Sequence, residues 1–186
     1  MNLLYPKLGI RLFGRMFVIA LLGAWVAGIY GVLHDQVTYS ISPEYFTKMK
    51  FDQFDYADFG FPRRFFVAEI GFLATWWVGF FAGWFLARVA LPVWPMRVAM
   101  KKCVNGFGLI FLTALVAAVV GYGLGVMHSG DYSFWVDLTG SLGIVDVRDF
   151  VRVALIHNAS YLGGLIGLLA AIALMFRAKK AAMRPV

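Results

Sequence analysis

Four apolar runs, at about 12–33, 65–91, 103–127 and 151–176, dominate this 186-residue chain, and each is near the ~20 residues a helix needs to cross a bilayer. In hydrocarbon every backbone polar group must be satisfied within its own segment, so a lone run of this kind resolves as an α-helix. Composition agrees: 61% of residues are hydrophobic and 15% charged, with mean hydropathy +0.77, against about a quarter charged in soluble domains. That excludes disorder and an ordinary soluble domain. The expected fold is an all-α integral membrane protein: a four-transmembrane-helix bundle forming one domain over 1–186, with helices near 12–33, 65–91, 103–127 and 147–176 and an outer loop over 34–64.

The charges orient the bundle. Lys7, Arg11, Arg15, Arg88, Arg97, Lys101, Lys102, Arg177, Lys179, Lys180 and Arg184 lie on one side with no acid among them. The other side holds Lys48, Lys50, Arg63, Arg64, Arg148 and Arg152 together with all ten acids. The positive-inside bias puts both termini in the cytoplasm. The basic pI near 9.7 therefore reads as membrane orientation and attraction to anionic lipid rather than nucleic-acid binding. Ala24-Trp25-Val26-Ala27 is a loose signal-peptidase pattern, but the apolar run exceeds a secretory h-region and Trp25 is too bulky for the site, so the first span is expected to be retained.

Local signals mark the helix ends. Pro62 stands where its missing N–H costs nothing, Leu91-Pro92 stops the second span, and Asp146 with Asp149 resembles a capping box opening the fourth helix. Ser42-Pro43-Glu44 reads as an N-cap with Pro at the first position, opening a short interfacial helix over 43–50. The loop around it carries Tyr39, Tyr45, Phe46, Phe51, Phe54, Tyr56, Phe59 and Phe61 among Asp52, Asp55 and Asp58, a mixture suited to the headgroup interface or to folding over the bundle mouth. Gly79 and Gly83, Gly121 and Gly125, and Gly163, Gly164 and Gly167 supply small surfaces for close helix packing. No internal repeat or low-complexity tract is evident.

The polar residues gather toward the outer face. His34 ends the first apolar run, His128 ends the third and His157 lies in the first turns of the fourth. Asp35 adjoins His34, and Glu69 lies about two turns, roughly 10 Å, into the second helix. Each helix thus offers a candidate ligand to one layer. Imidazole and carboxylate suit a divalent transition metal such as Zn, Fe, Mn or Cu, and three His with Asp35 or Glu69 would complete a four-coordinate shell. Tyr30, His34 and Thr38 fall four apart, as do His157 and Tyr161, which makes the hydroxyls candidate orienting partners if the helices extend that far. A b-type haem would need two of the histidines on facing helices at matched depth, a demand the spacing does not express.

Other chemistries find little support. Cys103 is the single cysteine, which removes disulfide, CxxC and thiolate-zinc chemistry and leaves a small packing residue. Ser160 follows His157 by three residues, but no G-x-S-x-G elbow exists, and the sequon Asn158-Ala159-Ser160 falls inside a membrane helix. Four spans are too few for an inverted-repeat transporter in one chain, though a pore shared by a homo-oligomer is compatible with them. The competing expectation is a structural or assembly subunit, with no catalytic site, that contacts membrane-protein partners through its aromatic loop and glycine stripes.

Tyr30-Gly31-Val32-Leu33-His34-Asp35-Gln36-Val37-Thr38, followed by Pro43-Glu44-Tyr45-Phe46-Thr47, resembles a segment of uncharacterised bacterial multi-span inner-membrane proteins that carry YGxxHDQxT and then EYFT after their first helix. The resemblance covers 30–47 and implies a bacterial inner (cytoplasmic) membrane location without an activity. It singles out Glu44, a further candidate around the site, and Tyr45. Where those proteins have another His after EYFT, this chain has Lys48, Met49 and Lys50. The functional expectation is a divalent-metal site at the periplasmic face formed by His34, Asp35, Glu69, His128 and His157, with Tyr30, Glu44 and Tyr161 around it.

Overall fold

The computed structural model describes residues 9–128 and 130–182; Lys7 and Arg184, counted above for orientation, lie outside them. In chain order the elements are α1 (Ile10–Ile41), α2 (Pro43–Tyr45), a π-turn (Phe46–Lys50), α3 (Phe51–Gln53), a 3-10 turn (Asp55–Ala57), α4 (Arg63–Ala90), α5 (Met96–Val126), a second 3-10 turn (Ser133–Trp135), α6 (Val136–Ser141) and α7 (Val147–Ala182). Among the described residues there is no strand, and α1, α4, α5 and α7 are long and apolar enough to cross a membrane. Their outward faces are apolar as well, with Trp25, Ile29, Phe81, Val119 and Leu169 all exposed.

α1 and α5 outrun their apolar stretches, as α7 does at both ends. α1 continues through the polar residues 34–41, because none of them is Gly or Pro and the Thr38 and Ser40 hydroxyls donate to the carbonyls of His34 (3.1 Å) and Gln36 (3.0 Å). It ends where Pro43 drives Ser42 out of the helical region, to φ −135° and ψ 96°. α5 begins at Met96, well before the apolar run near 103, with Pro95 as its N-cap; hydropathy locates the oily stretch, whereas the turn chemistry of Pro92 and Pro95 locates the helix. Asp146 accepts from the Asp149 N–H at 3.0 Å, the expected cap of α7.

The helices pair through small residues. Gly23, Ala27 and Gly31 of α1 recur every four residues and face Gly79, Thr75 and Gly71 of α4 in antiparallel register. A Cβ on Gly31 would overlap the Gly71 carbonyl oxygen, and one on Gly83 would come within 2.7 Å of the Ile19 oxygen. Thr75 donates across the seam to the Ala27 carbonyl at 2.8 Å. The second pair repeats the scheme: a Cβ on Gly121 would lie 2.6 Å from the Leu155 oxygen, and one on Gly167 2.8 Å from the Ile110 Cα. Lipid is as apolar as leucine, so such association rests on close packing rather than on burial from water. Contact between the two pairs is far sparser. The chain is thus two zipped antiparallel hairpins set side by side.

Apolar clusters close the space between the hairpins at both ends. At the end carrying the termini, Met16, Leu86, Val89, Cys103 and Met175 pack together, which makes Cys103 the packing residue expected of it. At the loop end, Tyr45 and Phe46 fold in over Val67, Phe150 and Val153. Their segment opens as predicted, with the Ser42 hydroxyl accepting from the Tyr45 N–H at 3.4 Å; helical structure then runs through the π-turn to Gln53. Glu44 latches this lid to the opposite loop by accepting from the N–H groups of Val145 (3.0 Å) and Asp146 (2.8 Å), while Lys48 donates to the Gly143 carbonyl. The Gly143 turn needs its glycine, since φ there is +61°.

Candidate functional site

The extension of α1 decides the site, because it keeps His34, Asp35 and Thr38 on the helix, and His34 and Asp35 reach α7 at the level of His157. One ligand atom each from His34, Asp35 and His157 lies within 4.8 Å of the others. His157 Nε2 is 3.8 Å from Asp35 Oδ1 and 3.2 Å from Thr38 Oγ1, and the His34 and His157 rings meet edge-on at 4.8 Å. Asp35 and His157 are buried, with 5% and 2% exposure. An ionisable group at such depth is costly and marks a functional position by default.

Thr38 donates its hydroxyl hydrogen to the His34 carbonyl, so it turns a lone pair toward His157, a contact that an Nε2–H satisfies. His157 Nδ1 is then left buried with no hydrogen-bond partner. The protein does not saturate this ring, whereas buried polar atoms ordinarily find partners. Tyr45 lies over His157 at 5.0 Å between ring centroids, and Phe46 flanks it at 6.2 Å. Burial pushes the Tyr45 phenol up and the Lys50 ammonium down from their ordinary values, the latter opposed by the Asp35 charge. Lys50 Nζ stands 5.9 Å from the Tyr45 ring. The site therefore holds two imidazoles and one carboxylate, with a cation close by.

Of the five expected ligands the structure brings together three. His128 follows the end of α5, stacks flat on Tyr132 at 4.9 Å and accepts from the Gly130 N–H at 3.4 Å; it is not in the group. Glu69 lies beside Phe61, Pro62, Phe65 and Phe72 in a separate pocket, whereas Val67, Ile70 and Gly71 are the buried residues of that turn. Its Oε2 is buried without a partner. Glu69 is in none of the ion pairs among the described residues: Arg152 pairs with Asp149, and Arg64 donates to Gln36 and Ser40.

Tyr30 stacks on His34 at 5.5 Å and hydrogen-bonds Ser160 at 2.9 Å, and the Tyr161 ring stands 6.1 Å from His157. Both border the group as expected. Glu44 serves the loop latch instead, and the backbone N–H groups of Asp146 and Val145, with Lys48, hold its carboxyl below the usual range. Sequence reasoning gave Ser160 no place at the site, although residues 157, 160, 161, 164 and 168 form a helical stripe that would have grouped it with His157. The chain matches no protein-family model, no curated protein and no solved structure.

Proposed function

We propose that the chain is a bacterial inner-membrane protein, with both termini cytoplasmic, that binds one divalent transition metal at its periplasmic end through His34, Asp35 and His157. The observation that supports this is the convergence of those three donors from two helices, within 4.8 Å of one another. Two imidazoles and a carboxylate suit Zn, Fe or Mn and leave coordination positions open for an incoming oxygen. Thr38, Tyr30 and Tyr161 orient the set, as outer-shell groups do at metal sites. The assembly-subunit reading loses part of its basis, because the glycines at 79, 83, 121, 125, 163 and 167 face neighbours within the chain.

The test is elemental analysis of protein purified after metal-replete expression, beside the His34→Ala/His157→Ala double variant, with circular dichroism verifying that both are folded. Near-stoichiometric metal in the wild type and its loss in the variant are expected. Metal-free wild type, or equal metal in both, would overturn the reading.

A further inference from the structure

Between the two hairpins, extending from His34 and Asp35 toward the termini, lies a cavity of about 490 Å3, within the range of small-molecule sites. Its walls are stripes over 27–35 of α1, 74–82 of α4, 107–114 of α5 and 160–168 of α7, each spanning about 12 Å or slightly less of helix. Apart from Thr75, the polar side chains of the lining gather at one end, where Tyr30, His34, Asp35, Ser160 and Tyr161 converge. Thr75 also lines it, but its hydroxyl is committed to the Ala27 and Gly71 carbonyls. The remainder is aliphatic or aromatic.

Three features define an occupant. First, no Lys or Arg lines the cavity, so a carboxylate or phosphate head would meet Asp35 with no counter-ion in the lining, and the aliphatic and aromatic walls offer a charged group nothing further to pair with; a neutral occupant fits. Second, the Tyr30–Ser160 bond uses one of two hydroxyl hydrogens, and the other remains to donate to an incoming oxygen. Tyr30 and Phe111 (5.5 Å) and Phe107 and Phe111 (6.3 Å) build an aromatic wall, with Trp77 also in the lining, which favours a flat ring. Third, Trp77, Val78, Tyr161 and Leu165 line the cavity and are each about half exposed, so it communicates with the apolar surface of the bundle.

We infer that this cavity binds a neutral, lipid-soluble molecule of the quinone class, its carbonyl or hydroxyl oxygens at the Tyr30–Ser160 end and its tail running toward Leu168. The inference goes beyond the metal reading and needs no ion.

Gly164 gives the means to test it, since it lines the cavity and a Cβ there would meet nothing within 4 Å. Purified protein in nanodiscs is titrated with decyl-ubiquinone while tryptophan fluorescence is followed, for the wild type, Gly164→Leu and Ala74→Leu, with and without EDTA. Saturable one-to-one quenching is expected, weakened about tenfold or more in either folded variant, not displaced by decanoate or decylbenzene, and unchanged by EDTA. Non-saturable quenching, displacement by decanoate, or wild-type binding in both folded variants would overturn the inference. Loss of binding on chelation would also overturn it, because an ion would then be holding the oxygen; wild type that is metal-free as purified after metal-replete expression, yet binds quinone, would overturn the metal reading alone.

Discussion

Tyr30 of α1 and Ser160 of α7 share a 2.9 Å hydrogen bond across the sparse interface between the two hairpins. With the neighbouring Thr38–His157 contact at 3.2 Å, it ties together two units that are each held from within. Tyr30→Phe and Ser160→Ala should each lower stability by about 0.5–1.5 kcal/mol. In a double-mutant cycle the two losses should fall short of additive, since they remove the same bond. Unfolding in mixed micelles measures this, and strict additivity would mean the bond contributes nothing.

The seams should be far less tolerant than the cavity. Gly71→Val places a side chain into the Gly31 backbone and is expected to cost more than about 2 kcal/mol, as overpacking does at rigid contacts. Gly108→Val, at a glycine of α5 with open space beside it, should change stability by less than about 0.5 kcal/mol. Thermal melts of the two variants decide the matter, and equal melting temperatures would contradict the seam.

Glu44 predicts a response to acid. Its carboxyl titrates below the ordinary 4.5 because the folded loop donates hydrogen bonds to the charged form. A depressed folded-state pKa means the stabilisation is complete above about 4.5 and is lost as pH falls through the lower folded value. Protection of the Val145 and Asp146 amides, taken against their intrinsic exchange at each pH, should fall below that point in the wild type, and Glu44→Gln should lack that protection already at neutral pH. Protection of both amides in Glu44→Gln would show that the latch does not depend on the carboxylate.

Lys50 should work against a bound cation. Its ammonium is close enough to interact electrostatically with Asp35, so Lys50→Met is expected to tighten metal binding several-fold, on the order of 1 kcal/mol for one partly screened charge. Competition with a chromophoric chelator reads the affinity directly, and an unchanged or weaker constant would place the metal elsewhere.

The spans were readable because a bilayer imposes length and apolarity on whatever crosses it, and the loop-end polar layer was readable because His34, Asp35 and His157 interrupt otherwise oily helices. Helix rotation was not. His128 and Glu69 look equivalent to the other candidates when ranked by depth alone, yet α5 ends before His128, and Glu69 falls outside the buried face that Val67, Ile70 and Gly71 define on α4. The reach of α1 through 34–41 was hidden for a related reason: amphipathic residues carry no strong hydropathy signal, and the back-bonding of Thr38 and Ser40 is invisible until the helix exists. Glycine spacing was visible, but its matching between particular helices emerges only when the register is known. No internal repeat is evident in the sequence, and the two hairpins nevertheless share one four-residue packing rule.

That shared rule has a consequence for biosynthesis. The α1–α4 seam lies wholly within the first half of the chain and the α5–α7 seam within the second, so a ribosome delivers one complete zipper to the membrane before the next has emerged. The His34, Asp35 and His157 group draws on both. It therefore forms only after both zippers have reached the membrane, and whatever binds there meets no chain that carries the first zipper alone.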